Sequence, residues 1–285
     1  MGQLLRRHGL APSRRRGQHF LVDSAVHNRI LRAARLSGDD LVLEVGPGLG
    51  SMTRALARRS RQVVAVELDA GLARVARERL ADEPNVEIVE GDILATDVRA
   101  LLAAHGLEQQ EDGPLFDYKV VANLPYAITS PVLRLFLAGD TRPQSLVVMV
   151  QAEVARRAVA TPPAMSFLSA LVQFYGVPRL VSVVPPAAFY PPPRVSSAIL
   201  HIVVRAHPAV PVGDEGRFMD FVMAGFARPR KQLHNSLAEG LKAGAAEIAS
   251  LLEAAEIAPT RRASTLGMDE WAALARAFLA PSVEA

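Results

Sequence analysis

Four consecutive residues, Asn123-Leu124-Pro125-Tyr126, place an amide, a rigid ring and an aromatic face at the end of a largely apolar run, residues 118–122. Such a run reads as a buried strand, and open α/β sheets bind ligands at the carboxyl ends of their strands. An amide oxygen and a backbone carbonyl accept hydrogen bonds from an amino group. An aromatic ring stacks on a base drawn out of its helix. Pro125 fixes its own φ and restricts Leu124, so the carbonyls of this turn keep one direction. The combination suits recognition of an amino-bearing base. A plain strand-to-loop turn draws on the same residue types, so the weight rests on what stands upstream.

Upstream, Glu44-Val45-Gly46-Pro47-Gly48-Leu49-Gly50 follows the strand-like run Leu41-Val42-Leu43 and opens a helix over residues 51–59. Glycines at such a turn let the backbone approach a ligand, and the helix start offers unpaired N–H groups. The next strand, residues 62–66, runs into Glu67, with Asp69 just beyond. A carboxylate there can hold both hydroxyls of a ribose. A third strand, residues 86–89, leads to Glu90-Gly91-Asp92, and Asp92 can accept from an adenine amino group. The glycine spacing is G-x-G-x-G rather than that of a dinucleotide fold. A nicotinamide-dependent enzyme stays open on these three strand ends alone.

The elements that must carry these residues are legible from periodicity. A helix capped by Asp23 or Ser24 runs to residue 36, with Val26, Ile30, Leu31 and Ala34 as its apolar stripe. Strands and helices alternate from residue 41 to about 173, which predicts a parallel, doubly wound sheet. Residues 109–113 read as a polar loop. Residues 177–184 and 197–204 read as strands forming an antiparallel edge. Residues 207–216 hold two prolines and two glycines and make the best domain boundary. Four helices follow, near residues 214–226, 231–239, 245–255 and 268–278. The expected organisation is a basic flexible arm over 1–17, a sheet domain over 18–206 and an all-helical domain over 207–285.

The chain has 285 residues and a formal charge of +3, and only Lys119, Lys231 and Lys242 among its 32 basic residues are lysines. Arginine suits bidentate phosphate contacts, but GC-rich coding also favours it, so its placement says more than its number. There is no cysteine, which excludes disulfides and thiolate metal sites and fits a reducing cytoplasm. The seven histidines lack zinc-like spacing, so no metal site is expected. Neither a secretory signal nor an apolar run of membrane-spanning length is seen.

Together these motifs resemble the S-adenosylmethionine-dependent methyltransferases and, more narrowly, the ribosomal RNA adenine N6,N6-dimethyltransferase family. The ordered set carries the resemblance across nearly the whole chain. Gln18-His19-Phe20-Leu21 comes first, then Glu44 to Gly50, Glu67-Leu68-Asp69, Gly91-Asp92 and the 123–126 tetrapeptide. Pro186-Ala187-Ala188-Phe189, Pro191-Pro192-Pro193-Arg194-Val195, Phe226 to Lys231, Asn235-Ser236-Leu237, Arg261-Arg262-Ala263 and Thr265-Leu266 follow. The resemblance implies a Rossmann-like class I methyltransferase sheet with a smaller C-terminal helical domain. It implies S-adenosylmethionine held by His19, Leu21, Gly46, Gly48, Glu67, Asp92 and Asn123. It assigns Asn123 and the Leu124 carbonyl to the base amino group, with Tyr126 on one face of the base and Phe189 over the other.

The implied substrate is a pair of adjacent adenosines in a hairpin near the end of small-subunit ribosomal RNA, free or in an immature subunit, with the enzyme a cytoplasmic monomer. Arg14, Arg15, Arg16, Arg228, Arg230 and Lys231 are the candidate RNA contacts. Members of the family usually carry a glycine-containing basic loop before Tyr-Gly-Arg-Leu-Ser. Here Thr161-Pro162-Pro163-Ala164 precedes Met165-Ser166-Phe167-Leu168-Ser169, which removes the arginine. The rivals are a large-subunit rRNA methyltransferase of the antibiotic-resistance type and a non-catalytic rRNA-binding assembly factor.

Overall fold

The computed structural model describes residues 1–13, 17–107 and 115–279. The chain forms two compact units, Met1–Arg156 with Val177–His207, and Arg157–Gly176 with Pro208–Ala285. The polar loop expected over 109–113 lies outside the described residues.

The first unit opens on helix α1 (Gly2–Arg7), which corrects the reading of the N-terminal segment as a flexible arm. Leu5 is buried against Leu49, Leu72 and Val75, with Leu4 and Leu10 beside it. Burying one leucine contributes about 2 kcal/mol, which stabilises a helix too short to form alone. The apolar residues among the arginines were the signal. Then come β1 (Phe20–Leu21) and α2 (Ser24–Ala34), whose first turn is capped by the Asp23 carboxylate accepting from the Ala25 and Val26 amides.

From there strands and helices alternate: β2 (Leu41–Val45), α3 (Ser51–Ala57), β3 (Gln62–Glu67), α4 (Ala70–Arg79), β4 (Val86–Glu90), α5 (Val98–Ala104), β5 (Leu115–Asn123), α6 (Thr129–Ala138), β6 (Arg142–Gln151) and α7 (Ala152–Ala158). Later segments add β7 (Gly176–Val184), β8 (Phe189–Tyr190) and β9 (Ser197–Val204). The main sheet has the order β4-β3-β2-β5-β6-β9-β7. Strands β4 through β6 are parallel, and β9 runs antiparallel to β6. The chain winds outward from β2 through β3 to β4, then resumes beside β2 with β5. The order therefore reverses between β2 and β5, and a crevice opens there at the carboxyl ends. Both flanking strands are apolar because helices cover both faces.

The second unit is helical: α8 (Phe167–Tyr175), α9 (Glu215–Gly225), α10 (Leu233–Leu241), α11 (Ala245–Ala254) and α12 (Met268–Leu279). Its N-terminal piece departs from the sequence reading, which ran the alternating sheet region on to residue 173. Leu168, Leu171, Val172, Phe174 and Tyr175 of α8 are all buried. Helix α8 packs on α9, with the Phe174 and Phe218 rings 4.7 Å apart. Its apolar pattern does not distinguish cover for a sheet from the core of a bundle. The expected boundary near 206 falls one residue from the His207–Pro208 break. Trp271 is fully buried and packs 5.5 Å from Phe226, and a Cβ at Gly225 would fall 2.3 Å from the indole. Among the described residues no helix is long and apolar enough to cross a membrane.

Candidate active site

The crevice at the switch point is a cavity of about 300 Å³ lined from four segments: residues 17–20, the glycine loop, Glu67 with Leu68, and residues 123–128. Phe189 and Leu72 complete it. The glycine loop leaves β2 with Gly46 at φ 71°, Gly48 at φ 59° and Gly50 at φ 77°, backbone that side-chain-bearing residues rarely adopt. At Gly48 a Cβ would also meet the Phe20 ring at 3.2 Å.

The loop is held from the neighbouring strand. Glu67, buried at the end of β3, accepts the Gly48 N–H on Oε2 at 2.9 Å and the Asp69 N–H on Oε1 at 2.9 Å. A carboxylate has about four acceptor positions, so these bonds do not exhaust it for a diol. Leu68, next in sequence, is 56% exposed at the cavity wall. An apolar side chain kept in water beside a ribose-type acid offers a surface for a flat ring. Sequence reading passed over it, although a large apolar residue just past a strand end was the available signal.

The second acid of the cofactor set sits differently. Asp92 is exposed beyond β4, and its Oδ1 accepts the Leu94 N–H at 2.9 Å. The Gly91 N–H donates to the Glu67 carbonyl at 2.9 Å, which ties this turn to the end of β3. Asp92 is not among the residues that line the cavity. Leu21 is 6% exposed and packs in the core with Val26, Ile30 and Phe189. Its side chain supports the wall, so any contact it makes with a ligand is through its backbone.

The tetrapeptide ends β5 and enters a single 3₁₀ turn, Tyr126–Ile128, before α6. The Leu124 N–H donates to the Met149 carbonyl at 3.1 Å, so β6 fixes its peptide. The Asn123 Nδ2 donates to the His19 carbonyl at 3.0 Å. A carbonyl can be met only by the nitrogen of the amide, which settles the orientation of the group. Among the described residues nothing donates to Asn123 Oδ1 or to the Leu124 carbonyl. Two acceptors thus stand together in one cavity wall.

The aromatic groups are anchored from distant segments. The Tyr126 hydroxyl lies 2.8 Å from Ser197 Oγ, and Ser197 is fully buried at the start of β9. Burial, opposed by Ser197, holds the Tyr126 phenol above its ordinary pKa, so it stays protonated. The Tyr126 and His19 rings stack 6.1 Å apart, and His19 Nδ1 bonds the Pro191 carbonyl at 2.7 Å. Strands β1 and β8 pair Phe20 with Tyr190 and Leu21 with Phe189. This ladder carries Phe189 to the cavity, where it is 4% exposed. Ser197 was missed because nothing in its own surroundings marks it.

One buried acid lies just behind the glycine loop. Glu44 is 2% exposed, and burial raises its carboxyl to about 8, opposed by the Thr53 hydroxyl and reinforced by the charge of Glu67.

The RNA candidates divide. The Arg228 Nε donates to both Glu239 oxygens at 2.7 and 2.8 Å, so its charge is matched locally. Arg230 and Lys231 are exposed and carry no ion pair among the described residues. Arg14, Arg15 and Arg16 lie outside the described residues.

A ligand crevice at the switch point, with a glycine loop braced by an acid on one side and paired acceptors on the other, places the chain among the class I methyltransferases, here with a separate helical unit. It matches the ribosomal RNA adenine dimethylase family over residues 12–274. It is 48% identical over 255 residues, 90% of this chain and 84% of the relative, to the ribosomal RNA small subunit methyltransferase A of Dehalococcoides mccartyi (strain CBDB1). The Moorella thermoacetica protein of the same name is 43% identical over 96% of this chain and 94% of its own. Among solved structures, a 23S rRNA methyltransferase, ErmE, is 28% identical with a TM-score of 0.67, covering 90% of this chain and 98% of its own. A dimethyladenosine transferase from Plasmodium falciparum shares the fold at a TM-score of 0.73 and 22% identity, covering 90% of this chain and 96% of its own. The chain belongs to the ribosomal RNA adenine dimethylase family.

Proposed function

We propose that this enzyme transfers methyl groups from S-adenosylmethionine to N6 of two adjacent adenosines in a hairpin loop near the 3′ end of small-subunit ribosomal RNA. The product is N6,N6-dimethyladenosine, made during small-subunit biogenesis by a monomer acting in the cytoplasm. The observation that carries this reading is the Asn123 amide. Its nitrogen is committed to the His19 carbonyl, which leaves Oδ1 beside the Leu124 carbonyl as a pair of acceptors for one amino group.

The residues present fit the cofactor. The glycine loop has no side chain to obstruct a ligand, Glu67 offers its carboxylate, and Leu68 offers an exposed apolar surface. His19, Gly46, Gly48, Glu67 and Asn123 would hold it, with Asp92 at the rim and Leu21 acting through its backbone. When bound, the cofactor supplies a methyl group activated on a sulfonium. The protein must then orient the nucleophile. The N6 lone pair of adenine is delocalised into the ring. Hydrogen bonds from both N6 hydrogens to Asn123 Oδ1 and the Leu124 carbonyl would turn that lone pair out of the ring plane. Tyr126, anchored by Ser197, would stack on one face of the base, with Phe189 over the other. No strong base is required, because the proton leaves after positive charge has formed on nitrogen. Arg230 and Lys231 are the better placed of the basic candidates in the helical unit, since Arg228 is engaged by Glu239.

Mass spectrometry of small-subunit RNA incubated with labelled S-adenosylmethionine tests the reading. N6,N6-dimethyladenosine in that RNA is expected, and label confined to large-subunit RNA would refute it. Asn123→Ala should lower the single-turnover rate about a hundredfold, the scale for losing one polar group that acts in the transition state. RNA affinity should stay near wild type. Tyr126→Ala should lower both, since stacking also holds the base in the ground state.

A further inference from the structure

Helices α2 and α3 precede β2 and β3, so they end at the amino-terminal edge of the sheet, opposite the methyl-transfer cavity. There Asn28, Leu31, Arg32, Arg35, Leu36 and Arg59 line a second hollow of about 360 Å³. Leu31 is buried, whereas Asn28 and the three arginines are exposed. Neighbouring arginines behave otherwise: Arg54 is paired with Asp82 and Glu83, and Arg58 with Glu83. Arg32, Arg35 and Arg59 have no carboxylate partner among the described residues. Arg59 donates only within its own segment, to the Ala55 carbonyl at 2.9 Å.

Arg35 adds an independent sign. It ends α2 in the left-handed conformation, at φ 46°, where glycine is the unstrained choice. Its carbonyl accepts from Lys119 Nζ at 3.1 Å, and Lys119 is itself paired with Asp40 at 2.8 Å. The strained backbone is thus tied down by a partly buried ion pair, and the tie presents a guanidinium where a glycine would be easier. The positive field reaches His201 on β9, whose imidazole is lowered by burial and then by Arg179 and Arg35. Unpaired guanidinium forks around an apolar floor match phosphate oxygens better than any neutral ligand.

We propose that this hollow is an exosite for a phosphodiester of the ribosomal RNA, separate from the adenosines being methylated; it rests on the small-subunit RNA reading above. Strand β2, of five residues, separates the two edges by about 15 Å, more than one nucleotide covers. The phosphate held here therefore belongs to a different stretch of the substrate than the flipped base. A short hairpin would not reach it, and an intact subunit would.

Two variants test this: Arg32→Gln with Arg59→Gln, and Arg35→Gly, which suits the existing backbone and should fold at least as well. Each is measured for binding to unmethylated small subunits, to naked small-subunit RNA and to a short loop hairpin over a range of KCl concentrations. The double variant should lose about tenfold in affinity for the subunit and the naked RNA. Its log–log salt slope should become shallower by about one to two, at roughly 0.7–0.9 per phosphate released. Hairpin affinity and hairpin methylation should not change. Wild-type slopes in both variants, or an equal loss on the hairpin, would overturn the exosite. Loss on the subunit with naked RNA unaffected would assign the hollow to an acidic protein partner and overturn it too. Wild-type protein that methylates only large-subunit RNA would instead bring down the reading of function beneath it.

Discussion

Glu44 gives the most direct test of how the sheet tolerates its own site. Its carboxyl ionises near 4.5 in an open chain but at about 8 in the folded protein, because burial penalises the charge. Folding therefore takes up a proton between those two values. The stability contribution is complete below pH 4.5 and declines as pH rises through about 8. Each pH unit in that window is worth about 1.4 kcal/mol, so the limit is about 5 kcal/mol, reduced wherever water reaches the group. His27 and His201 act in the opposite sense, since burial lowers both. Their folded forms are neutral where the open chain is charged, so they cost stability as pH falls below 6.5. The Glu44 slope should thus stand clear between pH 6.5 and 8.

The perturbation is Glu44→Gln, which keeps the shape and removes the titration. Near pH 5 the variant should match wild type, and near pH 8.5 it should be more stable by about 2–5 kcal/mol. The only tryptophan, Trp271, lies in the helical unit and does not report on β2. Hydrogen exchange of peptides spanning β2 and β3 is the suitable assay. A stability difference that stays constant across pH 6.5–8.5, or a variant less stable throughout, would refute the argument that Glu44 is folded as a neutral acid.

Two further outcomes follow from the site. Glu67→Gln leaves an amide facing two N–H donors, so one of the Gly48 and Asp69 bonds must fail. Cofactor affinity by calorimetry should fall by about 1–3 kcal/mol, and an unchanged value with the fold intact would remove Glu67 from the site. Ser197→Ala should slow single-turnover methylation several-fold by freeing the Tyr126 ring, and should add nothing in a Tyr126→Phe background; additive losses would show that the 2.8 Å hydroxyl contact does not couple the two.

The sheet and its strand ends were legible because the chemistry there is local. Glu67, Asn123 and the glycine loop each stand where an apolar run stops, and a run that stops marks its own end. Residues 197–204 were read as a strand for the same reason, and β9 occupies them. What local pattern cannot carry is the closing of the cavity. Leu21 was read as a ligand because it sits within a motif, yet it pairs with Phe189, 168 positions away, and faces the core. The Asn123 amide is oriented by the His19 carbonyl, 104 positions off, and Tyr126 by Ser197, 71 positions off. No periodicity encodes such bonds, because each partner satisfies the rules of its own segment. The same holds at the N-terminus, where Leu5 looks like one apolar residue in a basic stretch until α4 supplies Leu72 and Val75. Leu72 also lines the cavity, so the short helix and the ligand crevice share a wall. The chemistry of the site is thus written at the ends of strands, whereas its orientation is set by contacts that arise only once the sheet has closed.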